Sequence, residues 1–173
     1  TGNPRSLHDA LPIYISDPKH LLAFAGGAGL APKAPGTVGT LVGVVLYLVL
    51  SMLPVALYVL VVAGLFAAGL WAVGTVADQL GADDPPAIVW DEVVGFLVAM
   101  IAAPAGLMWI IAGFALFRVF DIYKPWPIAD LQGRFKGGVG IMLDDLMAGV
   151  YTWLVLQLLW MMVEASLRGA GAH

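Results

Sequence analysis

Acidic side chains stand in pairs inside segments that are otherwise apolar. Asp91 and Glu92 lie in "IVWDEVVG", and Asp144 and Asp145 lie in "GIMLDDLM". A fifth acid, Asp121, lies in "FRVFDIYK". Carboxylates that share a site repel one another unless a cation compensates their charge. Mg²⁺ is such a cation, and proteins usually hold it with one or two carboxylates, waters and substrate phosphate oxygens. If the fold brings these acids together, they predict metal-dependent chemistry at a phosphate.

Helix capping is the structural alternative for the five acids, because a carboxylate in a first turn complements the positive end of the helix dipole. Two adjacent acids cannot both cap one helix end, and acids close to hydrocarbon are costly enough to suggest a function. We therefore interpret the five as a functional cluster. Asp78, Asp83 and Asp84 are left open between a functional role and a role as solvated loop acids.

Two glycine-rich segments are typical of phosphate recognition. "GGAGLAPKAPGTVGT" combines flexible glycines with Lys33 and with a helix start at about Gly36 and Thr37, where free backbone N–H groups favour an anion. "KGGVGIMLDD" places a second glycine-rich turn before an acidic pair, and Lys136 in it is interpreted as either a phosphate contact or a lipid-headgroup anchor. Both segments are therefore candidates for binding the phosphate group of a substrate.

The residue composition excludes several classes of chemistry. The chain of 173 residues has no cysteine, which excludes disulfides, thiolate metal sites and cysteine-nucleophile phosphatases. Its histidines, His8, His20 and His173, lie in the terminal segments, so zinc is disfavoured. The net charge of -4 says little about partners, because the acids are clustered, and we expect no nucleic-acid partner. The sequence leaves the oligomeric state open.

The elements that must position these residues are apolar enough for a lipid bilayer. The chain is 61% hydrophobic and 12% charged, with a mean hydropathy of +0.91, against about 45–50% apolar and about 25% charged in soluble domains. A soluble domain of this length could not hide so much apolar surface. We predict an all-α, polytopic membrane helical bundle. Its candidate spans are residues 37–53, 55–77, 93–117 and 146–163.

The third apolar run is interrupted by "APAG", where Pro104 disfavours a continuous helix. We therefore predict a short helical hairpin over about residues 90–121, with arms of only about 18–21 Å at about 1.5 Å per residue. The hairpin returns Asp121 to the point where Asp91 entered. Counting one change of side for each span puts all three acidic motifs at one face of the bundle.

The same count predicts the orientation of the chain in the membrane. Most Lys and Arg residues fall on the face with the acids, and by the positive-inside rule that face is cytoplasmic. We expect a multi-pass membrane protein whose active site faces the cytoplasm. Residues 1–13 lack an initiator methionine and a signal-peptide core. They are interpreted as a non-native or disordered segment that precedes one integral-membrane domain, residues 14–173.

Four ordered motifs resemble the phosphatidylglycerophosphatase A family: "GLAPKAPGTVGTL", "DPPAIVWDEVVG", "FRVFDIYKPWPI" and "GGVGIMLDDLMAGV". The resemblance covers roughly residues 20–163. It implies a magnesium-dependent phosphatase of the bacterial inner membrane. Its substrate would be the phospholipid phosphatidylglycerophosphate, converted to phosphatidylglycerol as the last step in making that lipid.

The resemblance carries over to individual residues. Asp121 would orient the attacking water or form an aspartyl-phosphate itself, and these two roles stay open. In relatives, serines often occupy the positions of Ala28 and Ala31, so their absence here argues against a catalytic hydroxyl in the first glycine loop. An Asp-Arg pair is common in relatives where this chain has Gln132 and Gly133, which leaves the role of that connector open. The predicted Mg²⁺ ligands are Asp91, Glu92, Asp144 and Asp145. The predicted phosphate-binding residues are Lys33, Thr37, Arg118 and Lys124.

Three other functions remain as alternatives. A small ion-coupled transporter would also place acids in a membrane bundle, but near its midplane rather than at helix ends. A lipid phosphotransferase would also use acids and magnesium, but the extended spaced-aspartate motif of that class is missing here. A noncatalytic membrane subunit would only present an acidic face.

Overall fold

The structure is a computed structural model that describes residues 17–82, 84–126, 128, 135 and 137–170. Within these residues the regular secondary structure is entirely helical, which confirms the all-α prediction. Residues 1–13, Asp83, Lys136 and the "ADLQGR" connector lie outside the described residues. The elements in chain order are α1 (Pro18–Ala23), a 3₁₀ helix η1 (Ala25–Leu30), α2 (Pro35–Leu50), α3 (Val55–Leu80), α4 (Trp90–Ala99), α5 (Leu107–Tyr123) and α6 (Gly137–Ala170).

Helix α4 lies at the centre of the bundle. It is apolar on all sides except at its first turn, and nine of its ten residues are buried. A helix without a polar face belongs in a protein core or in a membrane, and here α2, α3, α5 and α6 all pack against α4. The first turn of α4 carries Asp91 and Glu92. The packing of α4 therefore fixes where these two acids lie.

Glycines allow the enclosing helices to approach α4 closely. At Gly39 of α2, a Cβ would lie 2.7 Å from the Cβ of Val89. At Gly95 of α4, a Cβ would lie 2.6 Å from the carbonyl oxygen of Asp145 on α6. Real Cβ atoms do not come this close to other atoms. The helices can therefore touch here only because glycine has no side chain.

The hairpin is present, and its turn is fastened to α6. Helix α4 ends at Ala99 and α5 begins at Leu107, as the position of Pro104 predicted. The indole N–H of Trp153 donates to the carbonyl of Ile101 over 3.0 Å, and the side-chain amide of Gln157 donates to the same carbonyl over 3.3 Å. A carbonyl inside an apolar bundle needs such partners. Two α6 side chains therefore stabilise the turn.

Helix α6 begins earlier than the sequence predicted. The prediction started the last span at residue 146, but α6 runs from Gly137. Gly138 serves helix packing rather than a loop, since a Cβ there would collide with the backbone of Gly74 on α3, whereas Gly137 opens the helix with a left-handed φ of 65°. Asp144 and Asp145 therefore lie in the interior of α6, where neither can cap the helix.

The outer faces of the surrounding helices are apolar and exposed. Leu41, Val45 and Leu48 of α2 are each at least half exposed, and Leu158 and Met162 of α6 are exposed as well. Two helices, Val55–Leu80 and Gly137–Gly169, are long and apolar enough to cross a membrane, since they contain 18-residue stretches with mean hydropathies of 2.3 and 1.7. The described part of the chain thus surrounds a buried helix with helices whose free faces suit lipid.

Substitution of Gly95 by Ala tests the packing of α4 against α6. The added methyl group would lie 2.6 Å from the Asp145 carbonyl oxygen and 2.8 Å from the Phe117 ring. We expect Gly95→Ala to lower the free energy of unfolding by about 1–3 kcal/mol, the usual cost of overpacking, and to lower the midpoint of thermal unfolding in detergent. Gly64→Ala is the control, because a Cβ there meets nothing within 4 Å. Equal effects of both would contradict this packing.

Candidate active site

One cavity of about 340 Å³ lies where α2 and α4 begin, α5 ends and α6 passes. All five predicted acids line it, as do two of the four predicted phosphate-binding residues, Arg118 and Lys124. Lys33 and Thr37 are not among its lining residues: Lys33 is exposed ahead of α2, and Thr37 is half-buried in the first turn of α2. The lining residues are Ala34, Pro35, Gly36, Asp84, Pro86, Ile88, Asp91, Glu92, Arg118, Asp121, Ile122, Lys124, Ile141, Asp144 and Asp145.

Three of the acids have the geometry of a cation site. Asp91, Glu92 and Asp145 each offer one carboxylate oxygen, and these oxygens lie within 4.8 Å of one another. Each residue also has one side-chain oxygen that is buried without a hydrogen-bond partner in the described part of the chain: Asp91 Oδ1, Glu92 Oε2 and Asp145 Oδ2. Leaving such oxygens unpaired is costly. An all-oxygen donor set of this kind fits a hard divalent cation such as Mg²⁺.

Arg118 is held in place by two acids and a hydroxyl. Its Nη1 lies 2.5 Å from Asp121 Oδ2 and 3.8 Å from Glu92 Oε1. The same Nη1 donates to Thr40 Oγ1 over 3.5 Å. A guanidinium has five N–H donors in a planar fork, so these contacts leave others for an anion. Arg118 thus combines a fixed position with spare donors.

Lys124 is paired with the remaining acid. Its Nζ donates to Asp144 Oδ2 over 3.1 Å, and Asp144 is only 3% exposed. Burial lowers the pKa of Lys124, but its hydrogen bond to Asp144 and the negative charge there raise it more, so the pKa lies above the usual lysine value. Lys124 is therefore a cation at neutral pH. Asp144 Oδ1 is buried without a partner among the described residues, so the role of Asp144 as a metal ligand stays a prediction.

Backbone features at the start of α2 bring that helix against the acids. Ala34 adopts a left-handed conformation with φ 48°, and Pro35 then opens the helix. A Cβ on Gly36 would collide with Glu92 Oε1 and lie 3.2 Å from Arg118 Nη1. Only glycine fits there without moving the ion pair. The "PKAPGT" motif therefore contributes close backbone approach to the cavity.

Sequence reasoning missed Thr40 and left Asp84 undecided. Thr40 is fully buried and its hydroxyl donates to the Gly36 carbonyl over 2.8 Å while it accepts from Arg118. Its position four residues after Gly36 puts both on one helix face, a signal that could have found it. Asp84 lines the cavity, whereas Asp78 does not. No periodicity locates Asp84, because it belongs to a loop.

Comparison with known proteins finds relatives that cover most of the chain. The family described as Phosphatidylglycerophosphatase A matches residues 21–160. A protein of that name from Escherichia coli (strain K12) is 40% identical over 139 residues, which are 80% of this chain and 81% of the relative. A protein of that name from Haemophilus influenzae is 40% identical over 146 residues, 83% of this chain and 90% of the relative.

A third relative carries a different name. It comes from Bacteroides thetaiotaomicron, is named "Putative phosphatidylinositol-3-phosphatase", and is 38% identical over 144 residues, which are 79% of this chain and 89% of the relative. No solved structure matches the chain. The comparisons therefore bear on the family, and the geometry of the cavity comes from this structure alone.

Binding of Mn²⁺ tests the three-carboxylate site, because Mn²⁺ takes the same oxygen ligands as Mg²⁺ and is detected by electron paramagnetic resonance. We expect Asp91→Asn and Asp145→Asn each to weaken Mn²⁺ binding by about tenfold or more, since even outer-sphere partners of a metal are worth about 10–100-fold. Asp78→Asn is the control, because Asp78 is an exposed acid outside the cavity. Wild-type affinity in a folded Asp145→Asn variant would contradict the site.

Proposed function

Because the chain belongs to the phosphatidylglycerophosphatase A family, we propose that it hydrolyses phosphatidylglycerophosphate to phosphatidylglycerol and inorganic phosphate in a magnesium-dependent reaction. The family makes it a phosphoric monoester hydrolase. The proposal depends on one observation above the others. Oxygen donors for a metal and two cations for a phosphate line the same cavity of about 340 Å³.

Arg118 and Lys124 are proposed to bind the phosphate that is removed. Hydrolysis of a phosphomonoester is very slow without a catalyst, so an active site must stabilise charge on the phosphoryl oxygens and orient a nucleophile. Asp121 and Asp144 hold the two cations at 2.5 Å and 3.1 Å. Cations that are fixed before the substrate arrives need little reorganisation during the reaction, which makes their charge more effective.

Asp91, Glu92 and Asp145 are proposed to hold the Mg²⁺ ion. Their unpaired buried oxygens support this role. When bound there, Mg²⁺ would polarise the phosphoryl group and generate a nucleophile from water at neutral pH. Asp144 is retained as a predicted further ligand through Oδ1, since Lys124 occupies only its Oδ2. Lys33 and Thr37 stay predicted phosphate-binding residues.

Asp121 is proposed to position Arg118 rather than to attack phosphorus. Its Oδ2 is committed to the guanidinium, and a carboxylate in a close ion pair is a weaker nucleophile because its charge is already shared. A positioning role for Asp121 favours direct attack by water over formation of an aspartyl-phosphate. Each cation of the cavity is then paired with one acid, Arg118 with Asp121 and Lys124 with Asp144.

The membrane setting is part of the proposal. The exposed apolar faces of α2, α3, α5 and α6 suit a multi-pass bundle, and the substrate is a lipid of the same bilayer. Lys33 and Lys124 lie at the end of the bundle that holds the cavity, whereas Arg168 lies at the other end of α6. By the positive-inside rule, the cavity would face the cytoplasm of a bacterial cell.

Release of inorganic phosphate in detergent micelles tests the proposed function. We expect release from phosphatidylglycerophosphate that requires added Mg²⁺. Asp91→Asn and Asp145→Asn should each lower kcat about a hundredfold or more, the usual effect of removing a group that stabilises transition-state charge. Asp78→Asn should retain wild-type activity, because that acid lies outside the cavity.

Three outcomes of this assay would contradict the proposal in different ways. Full activity in both cavity variants would mean that the site is wrong. Faster phosphate release from phosphatidylinositol 3-phosphate than from phosphatidylglycerophosphate would mean that the proposed substrate is wrong. The name of the Bacteroides relative is the reason to measure it. No phosphate release from any lipid would favour the transporter, the phosphotransferase or the noncatalytic subunit.

Trapping with phosphate-labelled substrate tests the role of Asp121. We expect no protein-bound label after an acid quench, in the wild type or in a slow Lys124→Gln variant, because Asp121 is held by Arg118. A label that survives acid and is released by hydroxylamine would identify an acyl-phosphate. That result would make a carboxylate the nucleophile.

A further inference from the structure

The rim of the cavity is apolar where α5 borders it. Four of the lining residues are exposed: Ala34, Asp84, Pro86 and Ile122. Asp84 and Pro86 belong to the loop between α3 and α4, whereas Ile122, which is 66% exposed, lies on the outer face of α5. A molecule leaving the cavity past Ile122 therefore meets apolar surface at once.

The apolar side of the rim continues as a stripe along α5. Met108, Ile111, Ala115, Val119 and Ile122 are all exposed and follow one another at three or four residues, so they share one helix face. We call this face the α5 stripe. It runs from the hairpin turn to the cavity, and Ile122 belongs to both the stripe and the cavity lining.

The other outer faces lack this continuity. From α6 the cavity takes only Ile141, Asp144 and Asp145, which are all buried, and from α2 it takes only the half-buried Pro35 and Gly36. The exposed apolar residues of α2, α3 and α6 are not among the lining residues described for the cavity. Within the described chain, α5 is thus the helix that connects the cavity to a lipid-facing surface.

We propose that the acyl chains of the lipid substrate lie along the α5 stripe while its phosphate occupies the cavity. This inference rests on the proposed function and identifies the surface that binds the acyl chains of the substrate. The occupant follows from the chemistry of the two surfaces. The cations Arg118 and Lys124 suit the anionic end, the rim at Ile122 suits the glycerol, and the stripe suits apolar chains that start where the glycerol ends.

The absence of cysteine from the chain allows a direct test. Val119→Cys carries a thiol on the α5 stripe one turn from the rim, and Leu158→Cys carries one on the exposed apolar face of α6. Each variant is assayed before and after reaction with a pyrene maleimide, so that its own unlabelled rate is the reference. The substrates are long-chain phosphatidylglycerophosphate and its diacetyl form, whose chains are too short to follow the stripe.

Labelling of Val119→Cys should lower kcat/KM for the long-chain lipid about tenfold or more, because a label on the α5 stripe displaces the acyl chains and so misplaces the reacting phosphate. The rate with the diacetyl substrate should stay unchanged. Labelled Leu158→Cys should keep both rates. The inference is overturned if labelled Val119→Cys retains long-chain hydrolysis, or if both substrates lose rate equally. Absence of phosphate release before labelling would instead contradict the proposed function, so the two failures are distinguishable.

Discussion

Negative charge can be concentrated in this apolar bundle only because positive charge lies within reach of it. Asp91, Asp144 and Asp145 are each less than a tenth exposed, and desolvation of an uncompensated carboxylate costs several kcal/mol. Arg118 pairs with Asp121 and lies 3.8 Å from Glu92, and Lys124 pairs with Asp144. Asp91, Glu92 and Asp145 converge with one unpaired oxygen each. This arrangement of buried acids supports the proposed Mg²⁺ site before any reaction is considered.

Helix α4 fixes the positions of two of these acids, Asp91 and Glu92, which lie in its first turn. Ten residues reach only about 15 Å at about 1.5 Å per residue, so α4 cannot cross a bilayer by itself, and nearly all of its surface contacts other helices. Its first turn is anchored where the indole N–H of Trp90 donates to the Leu65 carbonyl of α3 over 3.1 Å. Small residues such as Gly39 and Gly95 then set how closely the neighbouring helices approach.

The sequence was informative wherever one residue type had one physical meaning. Pro104 predicted the hairpin because proline disrupts a helix, and the paired acids predicted a shared site because like charges need a common cation. Gly138 was misleading, since glycine serves loops and close helix contacts equally well, and only the facing Gly74 decides between them. The helical start at Pro18–Ala23 and the contact of Thr40 with Arg118 were not foreseen. Both depend on partners that are distant in sequence, so local patterns do not encode them.

The attachment of the hairpin turn to α6 has a consequence for how the protein matures. The ribosome makes α4 and α5 before it makes α6, yet Trp153 and Gln157 of α6 satisfy the Ile101 carbonyl, and the same helix supplies Asp144 and Asp145. Until α6 docks, the hairpin has an unsatisfied turn and an incomplete set of acids. A chain translated only as far as α5 therefore lacks two acids of the proposed site, and docking of α6 completes the hairpin turn and that site together.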